Sequence, residues 1–157
     1  MQFIKQHLRW ILAVWIAFVF IQSLFFKFSN SPETVHIFGV LGEWAGLPWF
    51  AAYGGYGVGV AEMIASIILF TRWWPWGALF AFEIMVGAIV FHLFTPLGIV
   101  MPKFNEAGVM VGDDGGTLFI LACLTCLASA ALVVKDWNAE HSQIRSLLKR
   151  INPAPAA

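Results

Sequence analysis

Apolar residues in this chain gather into four long runs and do not alternate as they would along half-buried strands. The first extends from about Trp10 to Phe26 and is broken only by Gln22 and Ser23. A second, from about Tyr53 to Phe70, contains Glu62 and Ser66; a third, from Trp76 to Phe94, contains Glu83 and His92; the fourth covers Leu118 to Val134. Each approaches the roughly 20 residues that a helix needs to cross a bilayer. A lipid-embedded strand would need a closed barrel of alternating polarity, so the four runs are expected to be helices. Lys5 and Arg9 before an apolar stretch resemble a signal peptide, but Phe25-Phe26-Lys27-Phe28 follows where small residues would favour cleavage, which reads as an uncleaved first span.

The connections differ in character. Asn30-Ser31-Pro32-Glu33 has the chemistry of a helix start: Ser31 can cap, Pro32 suits the first turn, and Glu33 favours the positive end of the dipole. A short amphipathic helix should run from there to about Trp44, on the membrane or plugging the outer mouth of the bundle, until Gly42, Gly46 and Pro48 end it. The segment from Thr95 to Gly116 is rich in Gly and Pro, and reads as a long loop of turns. Beyond Lys135 a polar helix could continue to Arg150, with a loose tail from Asn152. The expected organisation is a four-span membrane domain, residues 1–135, and a cytoplasmic C-terminal tail, residues 136–157.

Composition agrees, since 60% of the side chains are hydrophobic and only 11% are charged, against about 25% in soluble domains. A formal net charge of zero gives no basic excess for nucleic acid. Its distribution is more telling. Lys5, Arg9, Arg72, Lys135, Arg145, Lys149 and Arg150 fall on one side of a four-span topology and only Lys27 and Lys103 on the other, which places both termini in the cytoplasm of an inner (plasma) membrane protein. The outer side carries Glu33, Glu43, Glu106, Asp113 and Asp114. Trp10, Trp73, Trp74, Trp76 and Trp137 would form the cytoplasmic interfacial belt, and Trp44 and Trp49 the outer one.

Ionisable groups inside spans are costly and usually face protein or water, which singles out Glu62 and Glu83. Counted from the turn around Arg72 at about 1.5 Å per residue, both lie at nearly the same depth on an antiparallel hairpin. Gly55, Gly59, Glu62 and Ser66 share one stripe, and Phe80, Glu83 and Gly87 another. Two readings stay open: a carboxylate pair that handles protons, or two protonated acids that bond Ser66, Gln22 or backbone and fix helix packing. His92, nine residues after Glu83, is out of phase with it and either contacts a ligand or His36, or ties down a loop carbonyl. Lys27 either snorkels to the interface or serves as the cation of an outer pocket, with Gln22 at comparable depth. Cys123-Leu124-Thr125-Cys126 is a C-x-x-C whose sulfurs share a helix face; it suits thiol redox chemistry or, as small residues, a helix seam. Asp113 and Asp114 lack calcium-loop spacing and should serve the N-terminus of the fourth span, and no metal site is expected.

In this order, Lys27 closing the first span, the N-S-P-E start at residues 30–33, the G-x-x-E of Gly59 to Glu62, Gly87-Ala88 followed by His92, and Gly115-Gly116 opening the fourth span resemble the DoxX-like family of small four-helix membrane proteins. The resemblance covers residues 10–135; Glu83 and the C-x-x-C lie outside its motifs. It implies a four-helix bundle in the inner membrane. Some relatives are subunits of thiosulfate:quinone oxidoreductase, others associate with membrane redox complexes, and animal relatives act as receptor-assembly chaperones.

Three functions are therefore expected in turn. The first is a redox-associated subunit with a lipophilic, quinone-like pocket, in which Glu62 and Glu83 handle protons, Lys27, His92, Gln22 and Ser66 contact the ligand, and Cys123 and Cys126 offer redox chemistry. The second is a non-catalytic assembly subunit that meets a membrane-protein partner or its own copies. A small-solute transporter comes third, because no inverted repeat is visible.

Overall fold

A computed structural model of the chain describes residues 2–105 and 107–151, with side chains from residue 7 onward. Lys5, Glu106 and the tail from Asn152, which entered the charge and tail expectations, lie outside the described side chains. The elements in chain order are α1 (Gln2–Phe28), α2 (Pro32–Ala45), α3 (Pro48–Leu69), α4 (Trp74–Phe94), β1 (Pro102–Phe104), β2 (Met110–Asp113), α5 (Thr117–Trp137) and α6 (Gln143–Ile151).

Four of the helices, over His7–Phe28, Pro48–Leu69, Trp74–Phe94 and Thr117–Trp137, are long and apolar enough to cross a membrane. They form a square in which α1 touches α3 and α5, and α4 touches the same two, so that α1 and α4 sit across a diagonal. The centre is filled by Ile16 and Phe20 of α1, Ala65 and Leu69 of α3, Ala78, Ala81 and Met85 of α4, and Ala122, Ala128 and Leu132 of α5. Alanines dominate that list because small side chains let helix backbones approach where lipid supplies no hydrophobic drive for association. Gly77 is the extreme case: a Cβ there would lie 2.8 Å from the Leu69 backbone nitrogen. Large apolar residues such as Phe18, Ile67 and Leu127 point outward, as a bilayer environment requires.

The Ser31 side chain caps α2 by accepting the Thr34 N–H, Pro32 occupies the first turn, and Gly46 ends the helix in the left-handed region at φ 65°. It seats itself on the first turns of α3, with Phe38 edge-on to Phe50 and Gly42 so close to Ala51 that a Cβ would meet the Ala51 nitrogen at 2.6 Å. Leu41 joins Leu97 and Met101 in a second, smaller cluster, so α2 is a plug against protein on that face. Val35 and Trp44 stay exposed on the other.

The long loop is more ordered than its glycines and prolines foretell. β1 and β2 pair antiparallel with an irregularity between Lys103 and Phe104, adding a small hairpin to the expected all-α bundle. Asn105 organises its tip by accepting the Ala107 and Val109 N–H groups. The hairpin is latched at two points: Glu33 of α2 accepts the Phe104 N–H, and Asp114 accepts the Met101 N–H. Strands of three and four residues are too short to show a period of two.

At the other end the expected continuous tail helix is interrupted. Asp136, buried in the last turn of α5, accepts bonds from the Ser142 hydroxyl and the Gln143 and Ile144 N–H groups. That carboxylate ends one helix and caps the next, separating α5 from α6 by a five-residue turn, 138–142.

Candidate functional site

The most polar point inside the bundle lies between α1 and α3. Lys27 Nζ donates to both carboxylate oxygens of Glu62, at 2.8 and 2.7 Å, and to Ser23 Oγ at 2.9 Å. Ser23 Oγ in turn lies 2.6 Å from Glu62 Oε2. One turn of α1 aligns Ser23 with Lys27 at i and i+4. On α3, Gly59 lies one turn before Glu62; a Cβ at Gly59 would stand 2.9 Å from the Phe28 ring and 3.5 Å from Lys27 Cβ. The glycine of the G-x-x-E therefore creates the close approach that lets a lysine on the neighbouring helix reach the glutamate.

Burying two opposite charges is tolerable only when their hydrogen-bonding capacity is filled, and here it is nearly so. Glu62 is 4% exposed and Lys27 16%, so the pair opens to its surroundings only along the lysine. Lys27 does not snorkel to the interface; Glu62 turns it inward. Ser66 donates to the backbone carbonyl of Glu62 and not to its carboxylate. Ser23, which closes the triad, reads in the sequence only as a break in an apolar run, although its i, i+4 spacing from Lys27 is the available signal.

Glu83 is elsewhere. It is exposed on α4, and no hydrogen bond or ion pair to it occurs among the described residues, so the expected Glu62–Glu83 pair does not form. The reason is rotational phase: the inward stripe of α4 is Ala78, Ala81, Met85 and His92, and Glu83 is two residues from both Ala81 and Met85, on the opposite side of the helix. Gln22 likewise faces outward on α1 and contributes nothing to the triad.

His92 is buried in the last turn of α4, where its Nδ1 donates to the Gly98 carbonyl at 2.6 Å and its ring meets Phe119 edge-on. It fixes the turn after α4 against the start of α5. His36 packs on Phe104. Asp114 accepts the N–H groups of Gly116 and Leu118 at the start of α5 besides that of Met101. Burial pushes the Asp114 carboxyl up, but these backbone donors outweigh it and hold the group below the ordinary carboxylate range. Glu33 is lowered in the same way: burial opposes, while backbone N–H groups, that of Phe104 among them, and Ser31 prevail.

Cys123 and Cys126 are free, half-buried thiols on α5, flanking the fully buried Thr125. No group of three or more His, Cys, Asp or Glu side chains able to hold a metal occurs among the described residues. The structure thus unites Lys27, Glu62 and Ser23 with Ser66 alongside, and leaves Glu83, Gln22, His92 and the cysteines at four other places. Compared with known proteins, the chain matches no family model, no curated protein and no solved structure.

Proposed function

We propose that the protein is a multi-pass subunit of a larger membrane assembly, docking sideways through the Glu83 face of α4 onto a membrane helix of a different protein that presents a basic or hydroxyl donor. The observation that carries this reading is the placement of Glu83. It is tenth in the 21-residue helix Trp74–Phe94, which puts it at about the middle of the span, and it faces outward with no partner among the described residues. A carboxylate in hydrocarbon costs about 2.5–3.5 kcal/mol even on the mildest scale, and a donor on a neighbouring helix removes that cost. Gly87, one turn further on, has open space where a side chain would stand, so a second helix can approach there. Affinity purification from native membranes tests this: Glu83→Leu should lose a stoichiometric partner that the unaltered protein retains. Retention of that partner at full stoichiometry would sink the proposal, and recovery of paired copies of this chain alone would replace it with a homo-oligomer.

The orientation belongs to the same proposal. Arg9 donates to the Thr71 carbonyl and Gln143 to that of Arg72, so the start of α1, the α3–α4 turn and α6 share one basic end of the bundle. Trp10, Trp73 and Trp137 lie exposed near it, and by the excess of Lys and Arg this is the cytoplasmic side of an inner membrane.

A second reading draws on the DoxX-like resemblance and on the exposed edge of Lys27. Through that edge a lipophilic ligand with a carbonyl oxygen, of the quinone class, would take a hydrogen bond from Lys27 Nζ in exchange for Ser23, while Glu62 holds the lysine in place. A short-chain ubiquinone analogue should then bind the purified protein with a loss of at least tenfold on Lys27→Met with Glu62→Leu; equal binding by both proteins would eliminate this reading.

A further inference from the structure

We infer that α6 is an interfacial anchor that binds anionic phospholipid in the leaflet at the basic end of the bundle. At about 100° per residue, Ile144, Leu147, Leu148 and Ile151 fall within one arc of α6, while Gln143, Arg145, Ser146, Lys149 and Arg150 occupy the rest. Ile144 is buried against the bundle, whereas Leu147, Leu148 and Ile151 on the same arc are exposed, Ile151 by 70%. The face that seats α6 on the trunk therefore continues past the trunk with none of the described residues covering it. What lies beyond that edge in a membrane is the boundary between headgroups and acyl chains, and the neighbouring exposed residues Trp73 and Trp137 suit the same depth.

Charge identifies the lipid. α6 carries three basic residues and no acid. Arg145 borders the apolar arc on one side, Arg150 lies just past Gln143 on the other and Lys149 stands across from it, an arrangement in which long basic side chains can bury their stems and reach phosphates. Arg72, whose carbonyl accepts a bond from Gln143, adds a fourth cation beside the helix. A hollow of about 300 Å³ next to Arg145 and Lys149 is also lined by Glu140, His141 and Ser142. Glu140 is the one carboxylate lining it, since Asp136 is spent on Ser142 and the first N–H groups of α6. The partner that complements an apolar arc bordered by cations is a bilayer bearing phosphodiester headgroups with net negative charge.

Arg145 also donates to the Ala139 and Glu140 carbonyls and helps shape the turn before α6, so it is left in place in the test. Full-length protein is placed, one copy per nanodisc, in phosphatidylcholine with or without phosphatidylglycerol, and amide hydrogen exchange is followed over residues 143–151. Phosphatidylglycerol should slow exchange of α6, and the gain should shrink on adding salt. Lys149→Gln with Arg150→Gln should cut that gain about twenty- to thirtyfold, at roughly fivefold per cation, while leaving exchange in phosphatidylcholine as it was. Leu148→Ser with Ile151→Ser should lose protection in both discs without loosening α5. Equal exchange in the two lipids overturns the inference. So does protection reproduced by inorganic phosphate in phosphatidylcholine discs, which would make the hollow a site for a free anion, or protection that appears only in discs with two copies, which would make the arc a contact between chains.

Discussion

Glu62 and Glu83 lie at similar depth on neighbouring antiparallel helices, and their surroundings are opposite. Glu62 is enclosed by α1 and α3 and bonded by a lysine and a serine; Glu83 faces outward from α4 with no partner among the described residues. Depth within a span sets how costly a carboxylate is, and rotation about the helix axis sets who shares that cost. A buried pair meets that cost within the chain, whereas an outward acid leaves it unmet by the described residues.

The largest test of that contrast is removal of one half of the pair. Glu62→Leu leaves the half-buried Lys27 without its partner and should destabilise the protein by about 3–5 kcal/mol, read from unfolding in detergent. Adding Lys27→Met should restore most of the loss, and failure to restore it would mean that Glu62 matters for something besides its lysine. Glu83→Leu should do the reverse, leaving the isolated protein unchanged or up to about 2.5–3.5 kcal/mol more stable in a bilayer while abolishing its partner.

Two glycines sharpen the same comparison at lower magnitude. Gly59→Ala forces a Cβ toward the Phe28 ring at the lysine–glutamate contact and should cost about 1–3 kcal/mol. Gly87→Ala, beside Glu83 and in open space, should be neutral or stabilising by up to about 1 kcal/mol. Ser23→Ala removes one hydrogen bond to Glu62 and should cost about 1 kcal/mol, with Glu62 still paired.

Acid should act first where Glu33 and Asp114 latch the β1–β2 hairpin. Asp114 and Glu33 are held below their ordinary values in the folded protein, so their contribution is present above the unfolded pKa of about 4 and is lost as pH falls through the lower folded value. Exchange of the Met101, Phe104 and Leu118 amides should accelerate on acidification before that of the spans. Simultaneous acceleration along α5 would show that the latch and the bundle open together.

Much of the architecture was legible because long apolar runs, a Ser-Pro-Glu helix start and a Gly-x-x-Glu stripe are local signals. The inward stripe of α3, running through Gly55, Gly59, Glu62 and Ser66, was readable from its small residues. The same rule applied to Ala78 and Ala81 would have turned Glu83 outward; ranking the glutamate above the alanines as the marker of the buried face reversed the helix. The partner of Lys27 is hidden in the sequence for a different reason. Whether a lysine near a helix end reaches water or a carboxylate depends on a neighbour 35 residues away in sequence, and no window contains both. Asp136 was likewise invisible as a cap, because the helix it caps starts seven residues later.

The close placement of Ser23, Lys27 and Glu62 on α1 and α3 also bears on biogenesis. A ribosome delivers spans in chain order, so these three residues can be together in the membrane while α4 and α5 are still being made. The first half of the chain thus holds both members of its Lys27–Glu62 pair before the second half arrives. When α4 follows it brings Glu83, which meets no later helix of this chain among the described residues, so the second half adds a polar group that the first half has no means to satisfy.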